Sequence, residues 1–363
     1  MSYSSLSSTN SSNSSTSTLY LDSLRTHHTQ ALVNIVSSNL HCTPINAEAL
    51  LTSLIELRRH LESPLSCAHS HPATETNAAE VLEHILLCWV CARAAQTDAQ
   101  NHDVNKAVQT IDQNFDKYAE IPVAAISEAI QCTSYLATMS VGIAAVAKTS
   151  IPASLALTLG FVDDHCTLTN AFRALTKLCT KHSVKRPMAG ARWESDTGIY
   201  AVIDAFSRAQ TALGLRNRFD TLANAAFVYT SELVSVDFTL PQTSNSIVSA
   251  SISSMSSMSS RSTADSLDSF IISQETRQKA IWAERLVTSA LALVNALVDA
   301  HSALDARLRL RKELLDTALY KCFKLLEQPE FESSRAFKET RRFRRVYAAD
   351  IRDCGPHSSA TFQ

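Results

Sequence analysis

Six glycines in a chain of 363 residues are too few to supply the tight turns that a many-stranded β architecture needs. Leucine, alanine and serine dominate instead, and the apolar residues recur at helical rather than alternating spacing. The chain is therefore expected to be all-α: a multi-helix bundle with a long C-terminal helix or helical hairpin. Apolar residues at 45% against 19% charged give a globular balance and enough material for a sizeable core. A formal net charge of −2 gives the chain as a whole no electrostatic pull toward nucleic acid or anionic lipid.

Composition shifts along the chain mark four regions. Residues 1–17 are Ser, Thr and Asn with almost nothing to bury, which predicts a disordered tail. Residues 18–238 read as one helical body. Helices are expected over Leu19–Leu40, from Ala47 behind an Asn46 cap, and over Ala78–Ala95 behind an Asn77 cap with Glu80 in the capping-box position. A segment Val104–Tyr118 follows, then Val123–Lys148, Ser154–Lys181, Gly198–Leu213 and Arg218–Val236. The Ser/Met-rich stretch 239–269 is expected to be a linker, and 270–363 a C-terminal helical segment with a basic end that packs back on the body.

Within that last region Leu286, Ala290, Leu293, Leu297, Ala300 and Leu304 alternate in steps of four and three, a coiled-coil-like seam. An unbroken helix over Gln274–Glu327 would run to about 80 Å, so a bend is expected near Asp299–Asp305. Leu286, Leu293, Leu297 and Leu304 are the expected surface for a protein partner or for self-association. The most apolar window, Ala124–Val162, holds about 19 uncharged residues between Glu128 and Lys148, close to a spanning length. Gln131, Thr133, Ser134, Thr138 and Ser140 dilute it, so buried helices and no membrane span are expected.

Catalytic motifs are scarce. The hydrolase elbow, the P-loop and the dinucleotide fingerprint all need closely spaced glycines, and none of these patterns occurs. Asp163, Asp164, His165 and Cys166 offer a base and a nucleophile without a nameable orienting partner, which a surface turn explains better. Nine scattered cysteines, an odd number, with no secretory leader pattern suggest reduced thiols and a nuclear or cytoplasmic protein. His84, Cys88 and Cys91 fall on one helical face, and Cys67, His69 or His71 can complete a tetrahedral zinc set only if the preceding loop folds back. Their apolar neighbours Leu86, Leu87, Trp89 and Val90 favour buried thiols, so no metal or cofactor is expected.

The C-terminal Arg335, Lys338, Arg341, Arg342, Arg344 and Arg345 are interleaved with Phe337, Phe343 and Tyr347. Such a patch can contact phosphate, serve as a nuclear import signal or dock on an acidic partner. Glu330, Glu332, Glu339, Asp350 and Asp353 dilute it, and a solvated face with its aromatics turned inward is the competing reading. Arg307, Arg309, Arg311 and Lys312 form a second, weaker basic run.

Residues 47–118, about a fifth of the chain, resemble the regulatory domain of the aflatoxin-pathway regulator family of fungal zinc-cluster transcription factors. The resemblance rests on the Leu-rich helix Ala49–Leu61, on Cys67, on Ala78, Ala79, Val81 and Leu82, on Ile85, Leu86, Cys88 and Cys91, and on Ile111–Tyr118. It departs from the family in having no six-cysteine basic cluster, so direct reading of DNA by such a cluster is not implied. It implies a helical control or co-regulator module that acts through partners. The chain is accordingly expected to be a non-catalytic interaction protein, with any nucleic-acid contact indirect. The alternative is a structural or nucleic-acid-coating helical protein that uses the basic C-terminal helix.

Overall fold

The computed structural model describes residues 13–42, 44–63, 72–97, 118, 120–180, 197–235 and 263–354. Every regular element among them is helical: thirteen α-helices and one 3-10 turn at Pro329–Phe331. The expected all-α class is the observed one. The chain divides into two compact units, Met1–Thr221 and Leu222–Gln363. That division lies upstream of the 239–269 tract where the composition shift places a linker, and residues 239–262 lie outside the described residues.

The first unit is built from α1 (Asn13–His41), α2 (Ala47–Glu62), α3 (Pro72–Thr97), α4 (Val123–Leu136), α5 (Ser140–Ala147), α6 (Ile151–Phe161), α7 (His165–Cys179) and α8 (Thr197–Leu213). Its central element is α4, which packs against α2, α3, α5 and α7 and buries residues on nearly every side, from Ala125 and Ile126 to Thr133 and Leu136. A helix without a polar face has to sit in the middle of a bundle. Of its buried hydroxyls, Thr133 Oγ1 donates locally to the carbonyl of Ala129 at 3.0 Å, while Ser127 Oγ accepts from Asn170 Nδ2 of α7 at 3.3 Å. Against this centre α1 leans on α2 and α3, and α8 closes the other side over α5, α6 and α7.

Several helix ends differ from the sequence expectation for identifiable reasons. Asn46 does cap α2, its side chain accepting from Ala49 N at 3.0 Å. Asn77 does not cap α3, which already starts at Pro72; its amide instead donates to Gln30 Oε1 on α1 at 2.9 Å. The expected helix Val123–Lys148 is two helices broken at Ala137–Met139, where Thr138 Oγ1 bonds the Tyr135 carbonyl at 2.6 Å. Gly142 permits the turn, because a Cβ there would collide with the backbone of Leu136. α6 starts at Ile151, ahead of the expected Ser154, with Pro152 in its first turn, where a missing amide costs nothing. Asp164 then starts α7, accepting from Thr167 N at 2.7 Å, so Ser154–Lys181 is also two helices. α1 begins at Asn13, ahead of the expected Leu19, and Val104–Lys117 and residues 1–12 lie outside the described residues.

The second unit contains most of α9 (Asp220–Ser235), then α10 (Thr263–Asp299), α11 (Leu304–Leu315), α12 (Leu319–Leu326) and α13 (Arg335–Asp353). The bend expected near Asp299–Asp305 occurs at Ala300–Ala303, and a second break at Asp316–Ala318 divides the segment again. α10 packs along α11 and α13, and α13 also touches α11 and α12. The stretch Glu275–Asp299 of α10 is long and apolar enough to cross a membrane, yet 61% of its most apolar window is buried inside the protein. It is the core helix of this unit.

Candidate functional site

The leucine seam is the first correction. Leu286, Leu293 and Leu297 are each 0% exposed, covered by helices of the same chain, and Leu304 is half-buried at the start of α11. A heptad-like stripe asks only for an apolar cover, and here α13 and α11 provide it from within the chain. Leu286, Leu293 and Leu297 therefore line a core and offer no surface to a partner or to a second copy.

The His84 cluster is assembled in part. Cys88 Sγ lies 3.8 Å from both ring nitrogens of His84, which places the sulfur over the ring rather than along a lone pair. His84 Nε2 also lies 3.4 Å from Tyr118 Oη, and the His41 ring centre is 5.5 Å from that of His84 with the two planes tilted by 41°. Cys91 is buried on the same helix, and no group of three or more metal-ligating side chains comes together among the described residues. Cys67 lies outside them. The eight described cysteines are free thiols. Burial raises the Cys132 and Cys179 thiols far above their ordinary range and pushes Cys322 up to about 12, as expected for packing groups rather than nucleophiles. At the α6–α7 turn the Asp164 carboxylate is engaged by Thr167, while Cys166 Sγ accepts from Asn170 Nδ2 at 3.6 Å and Ser127 Oγ at 3.9 Å.

The two basic runs separate. Of the weaker one, Arg307 and Arg311 turn inward and both bind Asp350 of α13: Arg307 Nη2 donates at 2.8 Å, and Arg311, only 1% exposed, donates from Nη1. Arg311 is also flanked by the rings of Phe343 and Tyr347, each 5.6 Å from its guanidinium carbon. The hydrogen bond from Arg307 holds the Asp350 carboxyl below its usual range, reinforced by Arg311 against the opposing effect of burial. In the sequence both arginines read only as part of a second, weaker basic run, and the clamp is not apparent. The signal was their i, i+4 spacing on the face that carries Leu304, Leu308 and Leu314.

The stronger run stays outside. Ser334 caps α13, and Ala336, Thr340, Phe343 and Asp350 form its buried face. On the opposite side Lys338, Arg341, Arg345 and Arg352 are exposed and share an arc of about 60° over a length of about 21 Å. Among the described residues none of the four forms an ion pair. Arg352 was not part of the patch read from sequence. Arg342 and Arg344 sit on the two edges of this strip and are neutralised, Arg342 by Asp299 at 2.7 Å and Arg344 by Glu327 at 2.8 Å. The basic patch expected at Arg341, Arg342, Arg344 and Arg345 is thus divided into two exposed cations and two paired ones. The aromatics turn inward: Phe343 is buried, and Phe337 and Tyr347 are half-buried.

Fold and surface together define an all-α protein whose concentrated surface chemistry is a row of cations on its C-terminal helix. No family model matches the chain, and neither the curated proteins nor the solved structures contain a match to it.

Proposed function

We propose that this is a non-catalytic interaction protein, a regulator linked to transcription that acts through a protein partner bound at the outer face of α13. The observation that carries the proposal is the row Lys338, Arg341, Arg345 and Arg352, without an ion pair among the described residues, on a helix whose opposite face, Ala336, Thr340, Phe343 and Asp350, is buried. Fixed, exposed like charges steer association and select a partner of opposite sign. The link to transcription is supported by the resemblance of residues 47–118 to the fungal regulatory domain, and placement in nucleus or cytoplasm by the odd, scattered cysteines.

The test is to tether the full chain to a heterologous DNA-binding domain and measure a reporter. A reporter change of about tenfold is expected, as is its loss when Lys338, Arg341 and Arg345 are replaced together by Ala, since rim charges govern encounter. No reporter change with the intact chain, at equal protein level, would sink the regulatory role. A second reading, in which the same helix coats nucleic acid, is favoured by the dominance of Arg, whose planar fork matches phosphate. It predicts binding to duplex or single strands that weakens steeply with salt.

A further inference from the structure

We infer that the outer strip of α13 is a docking track for an acidic α-helix of a partner protein, one carrying carboxylates at i, i+3 or i+4 and i+7. This deepens the interaction-protein reading and rests on it. Three observations narrow the occupant. The strip's cations stand at steps of three, four and seven residues, the spacing at which another helix presents side chains along one face. Ala348, on the edge of this arc, accepts from Arg352 Nε through its carbonyl at 3.3 Å, which holds the Arg352 guanidinium along the helix.

The second observation is width. The strip is bordered by Asp299 and Glu339 beyond Arg342 on one edge and by Glu327 beyond Arg344 on the other. The carboxylates of a helix laid along the strip, spaced at i, i+3 or i+4 and i+7, share an arc as narrow as the strip's own and meet only cations. A duplex, whose phosphates lie either side of a groove about 12 Å wide, brings negative charge onto both acidic borders. The unit as a whole does nothing to offset this, since Leu222–Gln363 carries 17 basic and 16 acidic residues.

The third observation concerns single strands. Binding without sequence preference uses exposed aromatic platforms for stacking. Phe343 and Tyr347 lie toward the buried face, where Arg311 covers them, and Phe337, on the edge beside Arg341, is half-buried, so the strip carries no fully exposed platform. Like charges at i, i+4 oppose helix formation, so the bare strip is a locally unfavourable arrangement that a docked polyanionic helix relieves.

The experiment uses the full chain and a fluorescent peptide of about 20 residues, Glu at i, i+3 and i+7 on an Ala background, read by anisotropy. The controls are the same residues scrambled around the helix, a duplex DNA of similar length and a single-stranded RNA. The in-register peptide is expected to bind about tenfold more tightly than the scrambled one, and to lose about tenfold when Lys338, Arg341 and Arg345 become Ala. Because those side chains are exposed and Ala favours helix, the triple variant should keep its melting temperature or gain slightly, which separates lost binding from lost folding. Equal binding of both peptides, or peptide binding unchanged by the triple variant, would overturn the inference. Tighter binding of duplex or RNA than of the in-register peptide, lost in the same variant, would assign the strip to nucleic acid instead. A reporter response that survives the triple variant would remove the strip and leave the regulatory role, whereas peptide binding without any reporter response would do the reverse.

Discussion

Asp350 is the residue on which the second unit's packing turns most sharply. It is the counter-charge for Arg311, which is 1% exposed, and a buried guanidinium stripped of its partner is far costlier than the pair's own net contribution. Replacing Asp350 by Ala is expected to cost about 3–5 kcal/mol of stability, read by urea unfolding at neutral pH. The pH dependence has a definite sign. A carboxyl held low in the folded state binds fewer protons there than in the unfolded chain, so its stabilisation is complete above the ordinary carboxyl range. That contribution fades as pH falls through the folded value. The gap between wild type and Asp350→Asn should therefore be wide at neutral pH and close on acidification; a gap that widens in acid would contradict the clamp. Thiol reactivity supplies another check at this scale. Cys42 and Cys166 are exposed while Cys132, Cys179 and Cys322 are buried with raised thiol ranges. Iodoacetamide should label the first two long before the other three, as peptide mass spectrometry would show.

Among the elements, α10 shows how the same pattern serves two ends. Its leucines at steps of three and four were legible as a stripe needing cover, and the bend after Asp299 was legible from length alone. Whether the cover came from another chain or from this one was not legible, because apolar burial is non-directional and a stripe does not name its partner. Leu293→Ala should cost about 2–5 kcal/mol in thermal or urea unfolding without changing the oligomeric state; a change in association with little loss of stability would return the seam to the surface. The break between α4 and α5 has the same character. Nothing in the spacing of Val123–Lys148 forbids one helix, and the turn depends on a local hydroxyl bond and on the missing side chain of Gly142. Gly142→Ala should therefore destabilise by about 1–3 kcal/mol, measured by the midpoint of urea unfolding, where in an ordinary helix interior it would stabilise.

For the whole molecule, scarcity of glycine and the 3.6-residue recurrence of Leu and Ala determined that the chain is helical, and they placed Asn46, the α10 bend and the inward turn of the C-terminal aromatics. These are local properties, set by which backbone shapes a residue can adopt and by which neighbours share a face. The tertiary structure alone decided which cations face solvent: Arg307 and Arg311 went in against Asp350, Arg342 and Arg344 were paired at the edges, and Lys338, Arg341, Arg345 and Arg352 were left as an acid-free row. Charge carries no direction along a sequence. Its role depends on which helix lies opposite, a matter of contacts between residues some forty positions apart, and in this protein it divides the C-terminal charges into those that hold the fold and those left to bind.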